Sequence, residues 1–162
     1  MSGEEIEILL VEDNPSDEEL TVHALRRAKV ANRIHVARDG EEALQFIFCQ
    51  GKYAERSIES PPRVILLDLK LPKVSGIEVI RRIKADPRTA GILVVVLTSS
   101  KQDQDLVESY KLGANSYIQK PVDFDHFQEV VRQVGFYWLV VNQPPPARMF
   151  EPPSREETLA RP

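Results

Sequence analysis

Cysteine is nearly missing from this chain: Cys49 is its one copy in 162 residues, which excludes an internal disulfide framework and suits a reducing compartment. Long apolar runs are missing too, since no stretch approaches the ~20 residues needed to cross a bilayer. The opening Met1-Ser2-Gly3-Glu4-Glu5 is acidic and lacks the charge pattern of a signal peptide. A cytoplasmic protein with no membrane partner is expected. There is no basic block, and the formal charge is −4; without clustered Lys and Arg to neutralise phosphates, nucleic acid is excluded as a direct ligand. No glycine-rich phosphate loop follows the first apolar run, where Glu12-Asp13-Asn14-Pro15 stands instead. That argues against a nucleotide-binding enzyme. His23, His35 and His126 have no partners at metal-ligand spacing, so surface or packing roles are expected for them.

What is present is a single-domain composition, 42% hydrophobic and 28% charged. The chain is organised around Arg63-Val64-Ile65-Leu66-Leu67-Asp68-Leu69-Lys70-Leu71-Pro72, in which four branched apolar residues run into one carboxylate. This reads as a buried strand ending at an acid. Ligands of open α/β sheets bind outside the carboxyl ends of the strands, so Asp68 is the candidate reacting group.

Around it the apolar period alternates between strand and helix. A strand over Ile6-Glu7-Ile8-Leu9-Leu10-Val11 delivers Glu12 and Asp13. A helix follows from Pro15, with Asn14 as N-cap, Asp17 and Glu18 at the positive end of the dipole, and Leu20, Ala24, Leu25 and Ala28 as its core face. Arg33-Ile34-His35-Val36-Ala37-Arg38 alternates like a half-buried strand, and Asp39-Gly40 opens a helix carrying Ala43, Leu44, Ile47 and Phe48. Residues 50–62 form a connection longer than such loops usually need and are expected to be an exposed insertion. After Asp68, a helix bearing Ile77, Ile80 and Ile83 stops at Asp86-Pro87. The apolar strand Ile92-Leu93-Val94-Val95-Val96-Leu97 ends at Thr98, a helix over 101–112 closes with Gly113, and Ser116-Tyr117-Ile118-Gln119 leads into Lys120-Pro121. A last helix, capped by Asp123, carries Phe127, Val131, Val134, Trp138 and Val141. Residues 1–141 therefore form the domain. Residues 142–162, with six of the twelve prolines, are expected to be a tail without a fold of its own.

Five strands alternating with five helices predict a doubly wound α/β fold with a five-stranded parallel sheet. Strands one, three and four are continuously apolar, as central strands should be, whereas two and five are alternating or short, as edges should be. The predicted order is 2-1-3-4-5. The order reverses direction between strands one and three, so Glu12, Asp13 and Asp68 meet in one crevice. Three carboxylates there call for a hard cation, and Mg²⁺ prefers oxygen ligands. Thr98 and Lys120 sit on the same rim. An acid nucleophile, a cation, a hydroxyl and a lysine describe a site for phosphoryl transfer to aspartate.

These residues, in this order, resemble the receiver domain of bacterial response regulators over about residues 5 to 141. The resemblance implies a flavodoxin-like receiver fold and no enzyme beyond Mg-dependent self-phosphotransfer and slow autodephosphorylation. It implies that Asp68 takes phosphate from the histidine of a sensor kinase. Asp13 would bind Mg²⁺ directly, Glu12 largely through water, and the main-chain carbonyl of Lys70 would be a further ligand. Thr98 and Lys120 would hold phosphate oxygens, Tyr117 would change rotamer as Thr98 moves, and Lys120-Pro121 would be cis. Within the family the chain is most similar to single-domain regulators paired with bacterial phytochromes, through its insertion before strand three, Asp68-Leu69-Lys70-Leu71-Pro72-Lys73, Leu97-Thr98-Ser99-Ser100, and Phe136-Tyr137-Trp138-Leu139. One departure is Ser99, where many receivers carry alanine. An aspartyl-phosphate phosphatase would place a second acid two residues after its nucleophile, where Lys70 stands. The remaining alternative is a degenerate receiver acting as a phosphorylation-independent interaction module.

Six consecutive apolar residues, Phe136-Tyr137-Trp138-Leu139-Val140-Val141, surround the last helix, wider than the ~100° stripe one face of a sheet requires. Tyr137 and Val140 are the expected exposed pair. They predict a homodimer through helix four, strand five and helix five.

Overall fold

The computed structural model describes residues 7–27, 33–98, 111–125 and 127–129. Among these, five parallel strands form one sheet: β1 (Glu7–Val11), β2 (Arg33–Ala37), β3 (Val64–Asp68), β4 (Leu93–Thr98) and β5 (Ser116–Gln119). Their order is β2-β1-β3-β4-β5, as the hydrophobic pattern predicts. Every residue of β3 is buried, because β1 and β4 flank it and both faces are covered. The edge strands β2 and β5 are only partly buried.

The period-2 alternation of each strand divides the core in two. Ile8, Leu10, Leu66, Val95 and Leu97 pack with Leu25 and Phe127. Leu9, Val11, Ile65, Leu67, Val94 and Val96 pack on the other side with Ile47, Ile80 and Ile83. Each such side chain stabilises the fold by about 1.5–3 kcal/mol relative to exposure.

Three helices are described: α1 (Pro15–Arg27), α2 (Gly40–Ile47) and α3 (Gly76–Ala85). Side-chain caps start each of them. Asn14 Oδ1 accepts from the amides of Ser16 and Asp17, Asp39 from Glu42 and Ser75 from Glu78. In α1 the buried residues are Thr21, Ala24 and Leu25, while Leu20, expected in the core, is 47% exposed. At about 100° per residue Thr21 lies on the line between Ala24 and Leu25, and Leu20 lies roughly 90° off it. The geometry puts a hydroxyl on the core face and a leucine off it. Most of the helix expected at 101–112, and the end of the last helix with Tyr137 and Val140, lie outside the described residues, as do His126 and the tail.

The start of α3 fixes the loop behind Asp68. The Gly76 amide donates to the Leu69 carbonyl at 2.9 Å, and a Cβ on Gly76 would stand 2.4 Å from the Asp68 carbonyl oxygen. Only glycine allows the helix to begin against the backbone of that aspartate.

The insertion at 50–62 is mostly exposed, as expected, with Pro62 its one buried residue, but it is held in place. After a 3-10 turn at Gly51–Tyr53 it is fastened to the domain by Tyr53 and Arg56. The Arg56 guanidinium lies 3.6 Å from the centroid of the Phe46 ring, donates to the Phe46 carbonyl and pairs with both carboxylate oxygens of Glu7. Phe46 stacks on His35 with centroids 4.3 Å apart, so the imidazole is a packing residue, as expected. Tyr53 donates its hydroxyl proton to Glu42 at 2.6 Å. Towards His35 Nε2, 2.9 Å away, the same oxygen therefore accepts, which places the ring proton on Nε2 and leaves Nδ1 to titrate.

Burial lowers the His35 pKa from its usual 6.5, and Arg56 and Lys52 of the insertion lower it further, opposed by Glu42 of α2 and Glu7 of β1. The folded chain favours neutral imidazole, so the unfolded chain binds the proton more tightly. The contribution of His35 is then present above pH 6.5 and is lost as pH falls through the lower folded value. His35→Phe should lose less stability than the wild type between pH 7.5 and pH 5.5 in urea unfolding. An imidazole NMR titration of His35 with a midpoint at or above 6.5 would refute the assignment.

Candidate functional site

The sheet register sets the rim. Val11 pairs with Leu67, Asp68 with Leu97, and Thr98 with Gln119, so the carboxyl ends of β1, β3, β4 and β5 finish side by side. The next residues of β1 and β5 are Glu12 and Lys120. The Lys120 amide donates to the Thr98 carbonyl at 2.7 Å, and the Lys120-Pro121 peptide bond is cis.

The centre of the site is the Lys120 ammonium. Its Nζ donates to Glu12 Oε1 at 2.9 Å, to Asp68 Oδ2 at 2.9 Å and to Asp17 Oδ2 at 3.0 Å. An ammonium has three N–H groups, and three carboxylates take them. Asp68 Oδ1 accepts from the Lys70 amide at 3.0 Å, and Glu12 Oε2 from the Asn14 amide at 3.2 Å. Glu12 and Asp68 are buried, Asp13 is exposed beside them, and the three can bring carboxylate oxygens within 4.8 Å of one another.

Burial pushes the Glu12 carboxyl up to about 7; Lys120 pulls it down, but Asp68 adds to the rise. Burial also pulls Lys120 down, yet its bonds to Asp68, Glu12 and Asp17 outweigh that and hold it above the ordinary lysine value. Among the described residues, one ammonium therefore serves a region of four acids. An all-oxygen donor set with surplus negative charge fits a small hard dication such as Mg²⁺.

The structure brings Glu12, Asp13, Asp68 and Lys120 together. Thr98 is buried at the end of β4, and Tyr117 of β5 is 42% exposed. Lys70 reaches Asp68 through its amide. Asp17, in contact with Lys120, was read from the sequence as a helix-dipole residue only. A signal was present: α1 begins two residues after the acid pair, so an acid in its first turn must lie at the rim.

The response regulator receiver domain model matches residues 8–132, and the chain belongs to that family. It is a receiver domain of two-component signalling, a class of phosphoacceptor switch, and a histidine kinase is the partner such a domain implies. The "Probable methanogenesis regulatory protein FilR2" of Methanothrix harundinacea is 42% identical over 138 residues, 85% of this chain and 86% of that protein. The response regulator Rcp1 of Synechocystis is 38% identical over 133 residues, 82% of this chain and 88% of its own length. Its Mn²⁺-bound structure superposes with a TM-score of 0.71 at 36% identity, covering 88% of this chain and 99% of that one. The bacteriophytochrome response regulator RtBRR superposes with a TM-score of 0.77 at 46% identity, covering 90% of this chain and 87% of its own.

Proposed function

We propose that Asp68 is the phosphoryl acceptor and that Glu12, Asp13, Thr98 and Lys120 are its working partners. The observation that carries this reading is the convergence of Asp68 Oδ2 and Lys120 Nζ at 2.9 Å beside the Glu12-Asp13-Asp68 oxygen cluster. A carboxylate oxygen of Asp68 attacks phosphorus, and the P–N bond to the kinase histidine breaks with its electron pair left on the imidazole. Lys120 and the Thr98 hydroxyl then donate to the phosphoryl oxygens. Mg²⁺, held by Glu12, Asp13, Asp68 and the Lys70 carbonyl, would supply the positive charge that lets a phosphoryl group approach four acids. Tyr117 is the aromatic that responds to Thr98 on the outer strand. The persistence of every one of these residues weighs against a degenerate module.

The likeness to the bacteriophytochrome response regulator RtBRR supports a bacterial phytochrome kinase as partner, in the cytoplasm, with residues 1–141 as the receiver and 142–162 as its Pro-rich tail. Incubation with Mg²⁺ and acetyl phosphate followed by intact mass tests the central step. The expected result is one added phosphoryl group; an unchanged mass sinks the reading and favours the interaction module.

For assembly we propose a homodimer through helix four, strand five and helix five, supported by the six consecutive apolar residues at 136–141 of the sequence and by the exposure of Tyr117. Sedimentation at tens of micromolar should give a dimer, and Tyr137→Asp with Val140→Asp a monomer. A wild-type monomer rules the dimer out.

A further inference from the structure

Asp17 is not needed where it is for the sake of its helix. The start of α1 is already capped by Asn14, and an acid in the first turn gains from the helix dipole equally when it faces water. Instead its carboxylate turns to a lysine 103 residues away in the chain. Its side chain is 29% exposed, against 0% for Glu12 and 8% for Asp68, the other two acceptors of the same ammonium.

We infer that Asp17 is a positioning residue of the phosphoryl-transfer site: it holds the third N–H of Lys120 in the unphosphorylated domain and competes for it with the phosphoryl group. This rests on Asp68 being the acceptor. When acetyl phosphate reacts, a bond forms between an Asp68 oxygen and phosphorus. The P–O bond to acetate breaks, and acetate leaves with the electron pair. No proton is transferred, so the dianionic phosphoryl group must find donors among groups already present. All three Lys120 protons are committed in the resting domain. Giving up Glu12 would strand a fully buried carboxylate, which is expensive. Water can take the place of Lys120 at the more exposed Asp17, so that bond is the exchangeable one. Asp17 thereby sets how readily Lys120 turns to the phosphate, and its own charge opposes the phosphoryl group across the rim.

The experiment uses the full chain with Mg²⁺ and sub-saturating acetyl phosphate, read by intact mass. Asp17→Ala is compared with Glu18→Ala, which removes the same charge one residue along α1 from a side chain that pairs with Arg38 instead. Asp17→Ala should raise the ratio of phosphorylated to unphosphorylated chain roughly threefold, the scale of one partly exposed ion pair. Asp17→Asn, which keeps an acceptor oxygen, should fall between it and the wild type. Glu18→Ala should match the wild type. In the unphosphorylated protein the ¹⁵N signal of the Lys120 ammonium, protected by three carboxylates, should broaden or vanish in Asp17→Ala while the backbone spectrum persists. An unchanged or lower ratio in Asp17→Ala, an equal rise in Glu18→Ala, or an unaltered ammonium signal would overturn the inference while leaving the acceptor assignment intact. A wild-type chain that gains no phosphate overturns both.

Discussion

Asp68→Asn should gain no phosphate from acetyl phosphate and Mg²⁺, a loss of at least about a thousandfold in rate, because an amide has no anionic oxygen with which to attack phosphorus. The same substitution should leave the metal-free domain as stable as the wild type or more so. Two unit charges at the 4.8 Å limit of the acid cluster repel by roughly 3 kcal/mol at an effective dielectric of about 20. Asp68 faces both Glu12 and Asp13. Against that relief stands the lost charge-assisted bond to Lys120, about 1.5–3 kcal/mol, and Lys120 keeps Glu12 and Asp17. The relief at least offsets the lost bond, so the variant should be level with the wild type or more stable. Intact mass and urea unfolding without metal check the two halves separately. A variant that still gains phosphate moves the acceptor elsewhere; one destabilised by several kcal/mol would show that Lys120 outweighs the repulsion.

How much of this was legible in the sequence divides by distance along the chain. The strand order followed from uninterrupted apolar runs in β1, β3 and β4, because burial on both faces leaves no room for alternation. Glu12, Asp13 and Asp68 could be placed on one rim because strand ends and topology place them, without any knowledge of side-chain contacts. The failures are of another kind. Apolarity alone points Leu20 inward, but helical phase puts Thr21 there. The helical pattern points to Phe48, yet Phe46 is the residue buried against His35 and covered by Arg56. The docking of 50–62 depends on a pairing between Arg56 and Glu7 across 49 residues. The role of Asp17 depends on a lysine 103 residues away. Local periodicity carries no information about such pairs; only the assembled sheet brings them within reach.

Lys120→Ala should be the most destabilising single change at the site in the absence of metal, costing about 3–5 kcal/mol, the usual loss when one partner of a buried ion pair is removed. The Lys120 side chain is 7% exposed and its ammonium serves three carboxylates, two of them buried. Truncation leaves Glu12, Asp17 and Asp68 with no cation among their described contacts, and water reaches Glu12 poorly. Added Mg²⁺ should therefore raise the melting temperature of the variant by more than that of the wild type, since the dication replaces charge the variant has lost. Phosphate uptake should persist, because the nucleophile and the Glu12-Asp13-Asp68 donor set are untouched. The response to it should not: without the lysine no ammonium links the phosphoryl group on β3 to the end of β5, and the surface carrying Tyr117 should look the same before and after phosphorylation. Thermal melts with and without Mg²⁺, intact mass after acetyl phosphate, and amide NMR shifts around Tyr117 read these three consequences independently. A variant as stable as the wild type without metal, or one whose Tyr117 region shifts on phosphorylation as the wild type does, would show that Lys120 neither holds the acids together nor couples the phosphate to the outer strand.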